Sequence, residues 1–406
     1  GPMTENNLRK KFLSLCTRDS RQPRFIPEWE KLRQQAEEGN FPLYMKLIDW
    51  RIATLQRRYE DALKLSEEIL DGEPDERLAL WCKAFSLTDA GECEVARAFL
   101  STAIISQPDP VQLVERIECA TICDAFAYVL VELKRYDEAL LQYGDIIRQF
   151  SNERSLELRI MVVKAMFGRA VVLDKLDNQS EALTQYDEVI EKFRDAEEVQ
   201  LRELVATAMF NRGVTLGKLD KQNEKLVQYD EVILTFGDAK EVGIRVQVAT
   251  TMFNRGVALG ELGDQDSELA QYDEVIEKFG DAEGIEFLEV VAMAMFNRGI
   301  ALGNIDKQNE KLSQYEEVIE KFRDTKEVKL RVAIAKAMDG RGYMLCQLDN
   351  RKNALVQYDE IIKKFGDDEE EMIRDICQSA RFLKARLLEE QGGERKQVVS
   401  DRKELR

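Results

Sequence analysis

The chain has 406 residues, 44% hydrophobic and 33% charged, with a formal net charge of −18. That is too apolar for a disordered chain, no apolar run nears the roughly 18 residues of a membrane span, and the charge repels phosphate backbones, against general nucleic-acid binding. Histidine is absent, which excludes Ser-His-Asp and Cys-His nucleophiles, histidine bases and histidine metal sites together.

Gly1-Pro2-Met3 reads as a cloning remnant. Residues 1–24 form a basic segment, Arg9, Lys10, Lys11, Arg18, Arg21 and Arg24 against Glu5 and Asp19, expected to be a solvated tail. No apolar signal segment follows, so a cytoplasmic location is expected. Residues 25–42 predict an N-terminal helix with Trp29 and Leu32 inward. Over 43–110 the chain reads as two 34-residue units, since Ala62 and Ala96, and Pro74 and Pro108, are each 34 apart.

From 111 to 368 the period is 43. Tyr143, Tyr186, Tyr229, Tyr272, Tyr315 and Tyr358 stand in near-identical segments such as LTQYDEVIEKF, each step 43 residues without insertion. Arg169, Arg212, Arg255, Arg298 and Arg341 keep the same step upstream. Within a unit, Leu226, Tyr229, Val232, Ile233 and Phe236 mark one face of a helix, and Leu204, Val205, Ala208, Met209 and Leu216 trace another. The turn Asp220-Lys221-Gln222-Asn223 is short enough to force the two antiparallel. Gly237-Asp238, Gly280-Asp281 and Gly366-Asp367 read as helix stops. Residues 369–391 predict a C-terminal capping helix with Met372, Ile376, Leu383 and Leu387 inward, ended by Gly392-Gly393, and 392–406 a charged tail.

A small Ala early in the second helix, Pro twelve residues later, and first-helix segments such as Met252-Phe253-Asn254-Arg255-Gly256 resemble the tetratricopeptide repeat. Gly213, Gly256, Gly299 and Gly342 fall where that family places a small residue. The resemblance implies an all-α fold: a right-handed α-α superhelix of about eight hairpins plus capping helices, its first helices lining a concave wall. Six units carry nine extra residues, Glu283 to Val291 in one of them, expected to lengthen the first helix by over two turns. The small Ala is kept at Ala139, Ala182 and Ala354 but becomes Lys225, Glu268 and Lys311 elsewhere, so packing there must differ.

For function, phosphate and calcium loops are missing, and seven cysteines out of step with the period read as core thiols, Cys119 and Cys123 included. No catalytic residue, metal or cofactor is expected. The resemblance places Phe167, Phe210, Phe253 and Phe296 toward the groove, followed by Val171, Val214, Val257 and Ile300; the alternative is that the phenylalanines pack between hairpins. Asn211, Asn254 and Asn297 offer hydrogen bonds to a ligand backbone or between repeats. In-register Gly217, Gly260 and Gly303 imply close approach by a helix or a ligand. The arginine ladder faces Asp187, Asp230, Asp273, Glu316 and Asp359, as structural ion pairs or as guanidinium groups awaiting an acidic partner. The expectation is a non-catalytic adaptor or scaffold holding a protein or peptide in the groove, with no nucleic-acid or membrane partner. The alternatives are a regulatory or sensor subunit of a separate enzyme in bacterial signalling or defence, and a self-assembling structural scaffold.

Overall fold

The computed structural model describes residues 1–106 and 111–404, with side chains to residue 393; Pro108 and the side chains of the charged tail lie outside that range. Among the described residues there is no strand. The chain divides into two compact units, Gly1–Lys225 and Leu226–Arg406.

In unit 1, α1 (Glu5–Arg18), a 3-10 turn (Pro23–Phe25) and α2 (Ile26–Glu38) precede the hairpins. These are α3 (Pro42–Leu55) with α4 (Tyr59–Gly72), α5 (Arg77–Asp89) with α6 (Cys93–Ile105), α7 (Leu113–Glu132) with α8 (Tyr136–Phe150), and α9 (Leu156–Lys175) with α10 (Gln179–Phe193). Next come α11 (Val199–Lys218) and α12 (Gln222–Phe236), within which the division falls. In unit 2 follow α13 (Val242–Glu261) with α14 (Gln265–Phe279), α15 (Ile285–Asn304) with α16 (Gln308–Lys321), α17 (Val328–Gln347) with α18 (Arg351–Phe365), and α19 (Glu371–Glu404).

The helices form for local reasons. Each hairpin turn holds one left-handed residue: Arg57, Lys134, Asp177, Asp220, Asp306 and Asp349 at φ near 60°, and Gly91 and Gly263 at 81°. Aspartate tolerates that conformation better than most side chains, and glycine adopts it without penalty. Second helices bury one stripe; in α10 it is Ala182, Tyr186, Val189, Ile190 and Phe193. First helices are apolar nearly all round, as at Ile160, Met161, Val162 and Val163 of α9, because both neighbours pack on them. A lysine near the end of the second helix caps the previous one: Lys278 Nζ donates to Gly237 O at 2.8 Å and Lys321 Nζ to Gly280 O at 3.0 Å.

The tyrosine ladder is the packing key. Tyr272, Tyr315 and Tyr358 are buried, and a Cβ added at Gly256, Gly299 or Gly342 would lie only 2.6–2.8 Å from the respective ring. Gly340 closes on the other edge of Tyr315, at 2.6 Å. The missing alanines are compensated too. Where the second helix carries Lys225, Glu268 or Lys311, the facing first-helix residue is Gly217, Gly260 or Gly303, and the longer side chain fills the space of the absent Cβ. Where Ala182 or Ala354 is kept, the same first-helix position holds Asp174 or Cys346. The close approach expected at the three glycines therefore comes from the facing helix.

Several expectations need correction. Residues 1–24 are no solvated tail, because Leu8, Phe12, Leu13, Leu15 and Cys16 form an apolar helix face and are buried. The helix expected over 25–42 is α2, which ends at Glu38; Trp29 and Leu32 are buried on it. The first helices of the long units have 20 residues against 14 in α3, so six of the added residues extend the helix, about 9 Å, and the rest enter the connecting loop. The inner face of α19 is Ile373, Cys377, Ala380 and Leu387: of the expected residues Leu387 is buried, Ile376 and Leu383 are half-buried, and Met372 is exposed, its place taken by Ile373. That helix also continues through Gly392-Gly393 to Glu404, since glycine only weakens a helix by about 1 kcal/mol.

Candidate functional site on the first-helix walls

In unit 1 the exposed side of the first helices is already occupied, by α1. Four fully or almost fully buried side chains, Leu8, Phe12, Leu13 and Leu15, seat it. At ~1.5–3 kcal/mol each they contribute a gross ~6–12 kcal/mol. Polar contacts fix the register. Arg9 pairs with Glu118, which also accepts from Arg77 Nε at 2.7 Å. Ser14 Oγ donates to Glu157 at 2.8 Å, Lys164 Nζ donates to Thr17 O at 2.9 Å, and Arg24 meets Glu203 at 3.4 Å. Asp19, fully buried, is the anchor beyond the helix end: it accepts from Arg51 at 2.7 and 2.9 Å, from the Trp29 indole at 2.9 Å and from the Arg21 amide at 3.0 Å.

A cavity of about 400 Å³ opens beside this anchor, between α3, α5, α7 and α9. Trp81, Phe85, Tyr128, Tyr143 and Phe167 supply aromatic walls. Ser20 and Arg21, both left-handed, roof it, and the Arg21 guanidinium lies 4.1 Å over the Phe85 ring and 3.3 Å from Asp89. Burial raises the Asp124 carboxyl to about 6, although Lys164 opposes the shift, and burial lowers Lys164. Burial likewise raises the Cys16 thiol to about 12, favouring its protonated form. Among the described residues no group of three or more His, Cys, Asp or Glu side chains could hold a metal.

The groove residues expected from the sequence divide. Phe167, Phe253 and Phe296 are half-buried and pack on Tyr186, Tyr272 and Tyr315 with ring centroids 6.2, 6.0 and 5.4 Å apart, the first two pairs tilted and the third stacked. Phe167 also reaches the unit 1 cavity; Phe210, Val214 and Val257 are half-buried. Asn211 and Asn297 hydrogen-bond the hydroxyls of Tyr186 and Tyr272, and Asn254 donates to Thr250 O at 2.8 Å. Arg212, Arg255 and Arg298 donate to Asp187, Asp230 and Asp273 at 2.6 Å, and Arg341 to Glu316 at 3.2 Å. Arg169, Arg255, Arg298 and Arg341 also donate to Gln185, Gln271, Gln314 and Gln357 at 2.9–3.0 Å. Each of those glutamines in turn donates to a glutamate three residues on. The arginines thus tie second helix to first helix to second helix.

In unit 2 the first helices also carry exposed apolar side chains; of these, Met293 stands at the register of Lys164, which meets the N-terminal segment in unit 1, whereas Val171, the counterpart of Ile300 and Tyr343, is itself 43% exposed. Adding multiples of 43 to Glu157, Lys164 and Val171 gives Glu286, Met293 and Ile300 on α15, and Lys336 and Tyr343 on α17. Met293, Ile300 and Tyr343 are 40%, 39% and 58% exposed. Sequence reasoning found Ile300 and overlooked Met293 and Tyr343, which the same period would have supplied.

Residues 164–196, the second half of α9 and α10, match the family model described as tetratricopeptide repeat. That stretch is similar to a tetratricopeptide repeat. No curated protein is significantly similar to it in sequence. Among solved structures, these repeats align with the apo form of RapI at 14% identity and a TM-score of 0.56, over 92% of this chain and 96% of that one. They align with the apo form of the quorum sensor NprR from B. thuringiensis at 12% identity and a TM-score of 0.50, over 83% and 97%. A tetratricopeptide repeat protein from Parabacteroides merdae ATCC 43184 aligns at 14% identity and a TM-score of 0.42, over 75% and 98%. At such identities the likeness is one of fold, an all-α repeat solenoid.

Proposed function

We propose that this protein is a non-catalytic, protein-binding adaptor whose unit 2 first-helix wall holds a basic amphipathic helix of a partner. The observation that carries this reading is α1. In unit 1 the first helices, at the register of Glu157 and Lys164, grip a helix with an apolar stripe and basic flanks, the helix-in-groove mode of recognition. The acids that α1 and its extension meet there, Glu157 and Glu203, recur in unit 2 as Glu286 and Glu289. Beside them Met293, Ile300 and Tyr343 offer apolar surface without an occupant. A small protein domain does not need to expose three large side chains in register, and such patches mark interaction sites.

The reading is tested by affinity purification with the wild-type chain and with a Met293→Asp, Ile300→Asp variant, followed by fluorescence anisotropy with a labelled helical segment of the captured protein. Loss of binding by at least tenfold, with the melting temperature retained, is expected. Undiminished binding by the variant refutes it. A regulatory or sensor role would use the same wall, and is favoured only by likeness of fold to a quorum sensor. Light scattering over a dilution series separates either role from self-assembly.

A further inference from the structure

The cavity of unit 1 is not needed for helix docking on unit 2, and its polar groups do not balance as a purely structural core would. Three acid–base pairs line it. Two are paired, Arg51 with Asp19 and Arg21 with Asp89, although Arg51 Nη1 is buried without a hydrogen-bond partner. The third is open. Asp124 has no hydrogen bond or ion pair among the described residues, and Lys164 uses one of its three N–H groups, on Thr17 O. The two feel each other's charge without touching. Between and around them are the rings of Trp81, Phe85, Tyr128 and Phe167.

We propose that this cavity binds a small zwitterion, a free α-amino acid with an apolar or aromatic side chain, its ammonium on Asp124 and its carboxylate on Lys164. The volume of about 400 Å³ equals roughly thirteen waters at ~30 Å³ each, room for such a ligand and at the small end of ligand pockets. One acid, Asp124, and two basic groups, Lys164 and Arg51 Nη1, keep unused hydrogen-bonding capacity, which matches the two ends of a zwitterion and not a simple cation. The aromatic walls take the side chain and add attraction for the ammonium. Exposed Tyr128 and Arg21 mark the mouth. Asp124 is half-buried and unpaired, and a ligand ammonium would give its carboxylate the partner it lacks.

The test uses the full chain, titrated by calorimetry and by the fluorescence of Trp81, with L-phenylalanine and L-leucine as probes. Phenethylamine lacks the carboxylate and 3-phenylpropanoate lacks the ammonium. Saturable binding of an amino acid with Kd below about 1 mM is expected, with each truncated analogue at least tenfold weaker. Asp124→Asn should weaken binding at least tenfold without lowering the melting temperature. Lys164→Met should do the same, and because Lys164 also holds Thr17, Asp124→Asn is the cleaner variant. Failure of both amino acids to bind, equal binding of either truncated analogue, or unchanged binding by Asp124→Asn overturns the proposal. None of these outcomes bears on unit 2, so the adaptor reading stands or falls separately.

Discussion

Tyr315 lies in a slot whose two edges are glycines, Gly299 on α15 and Gly340 on α17, and filling that slot should destabilise unit 2. A Cβ at Gly299 would sit 2.8 Å from one edge of the ring and a Cβ at Gly340 2.6 Å from the other, well inside normal contact. The ring is 3% exposed, so it cannot swing to solvent. It cannot yield sideways either, because each glycine blocks the escape from the other. Overpacking of this kind costs about 1–3 kcal/mol, whereas Gly→Ala in a helix interior returns about 1 kcal/mol of propensity. Gly340→Ala should therefore lose up to about 2 kcal/mol net, and the double variant Gly299→Ala, Gly340→Ala should lose more than the sum of the singles. Gly144→Ala on α8 is the control, since nothing but the end of Arg148, at 3.4 Å, is near. It should gain about 0.5–1 kcal/mol. Guanidinium unfolding followed by hydrogen exchange in α15–α17 reads the local change, which repeat arrays need not share with their whole length. If Gly340→Ala stabilises as much as Gly144→Ala, the slot argument is wrong.

Other outcomes follow from the same geometry. Asp124 has a folded pKa near 6, above its ordinary carboxyl value of 3.8, so the folded chain binds more protons between those values and loses stability as pH rises through pH 4–6. Asp124→Asn should match the wild type below pH 4 and exceed it above pH 6, by about 1–3 kcal/mol in urea titrations. Arg255→Leu removes the donors to Asp230 and Gln271; because Asp230 is half-exposed, the loss should stay within about 1 kcal/mol and leave partner capture intact. Lys278→Met uncaps Gly237 O and should lower stability by about 0.3–1 kcal/mol, read by thermal melting. Deletion of residues 1–22 should expose the unit 1 wall and cause dye binding to apolar surface, with a clear fall in melting temperature.

The sequence by itself determined the hairpins, because an unbroken 43-residue step repeats turn signals and apolar stripes that are local properties of the chain. It contained the glycine ladders and their Lys225, Glu268 and Lys311 counterparts as well, but which residues exchange volume across a hairpin emerges only when the two helices face each other. The arginine ladder was visible as a row; its acceptors, drawn from both the preceding and the same repeat, required the crossing geometry. The N-terminal segment shows the limit most sharply. Its charges suggested a solvated tail, while Leu8, Phe12 and Leu15 could count as a buried stripe only once a wall existed to bury them. The cavity too belongs to tertiary structure. Asp124 and Lys164 stand 40 residues apart in different repeats, and no period links them, so only packing could bring an unpaired acid and a half-used base to one aromatic chamber.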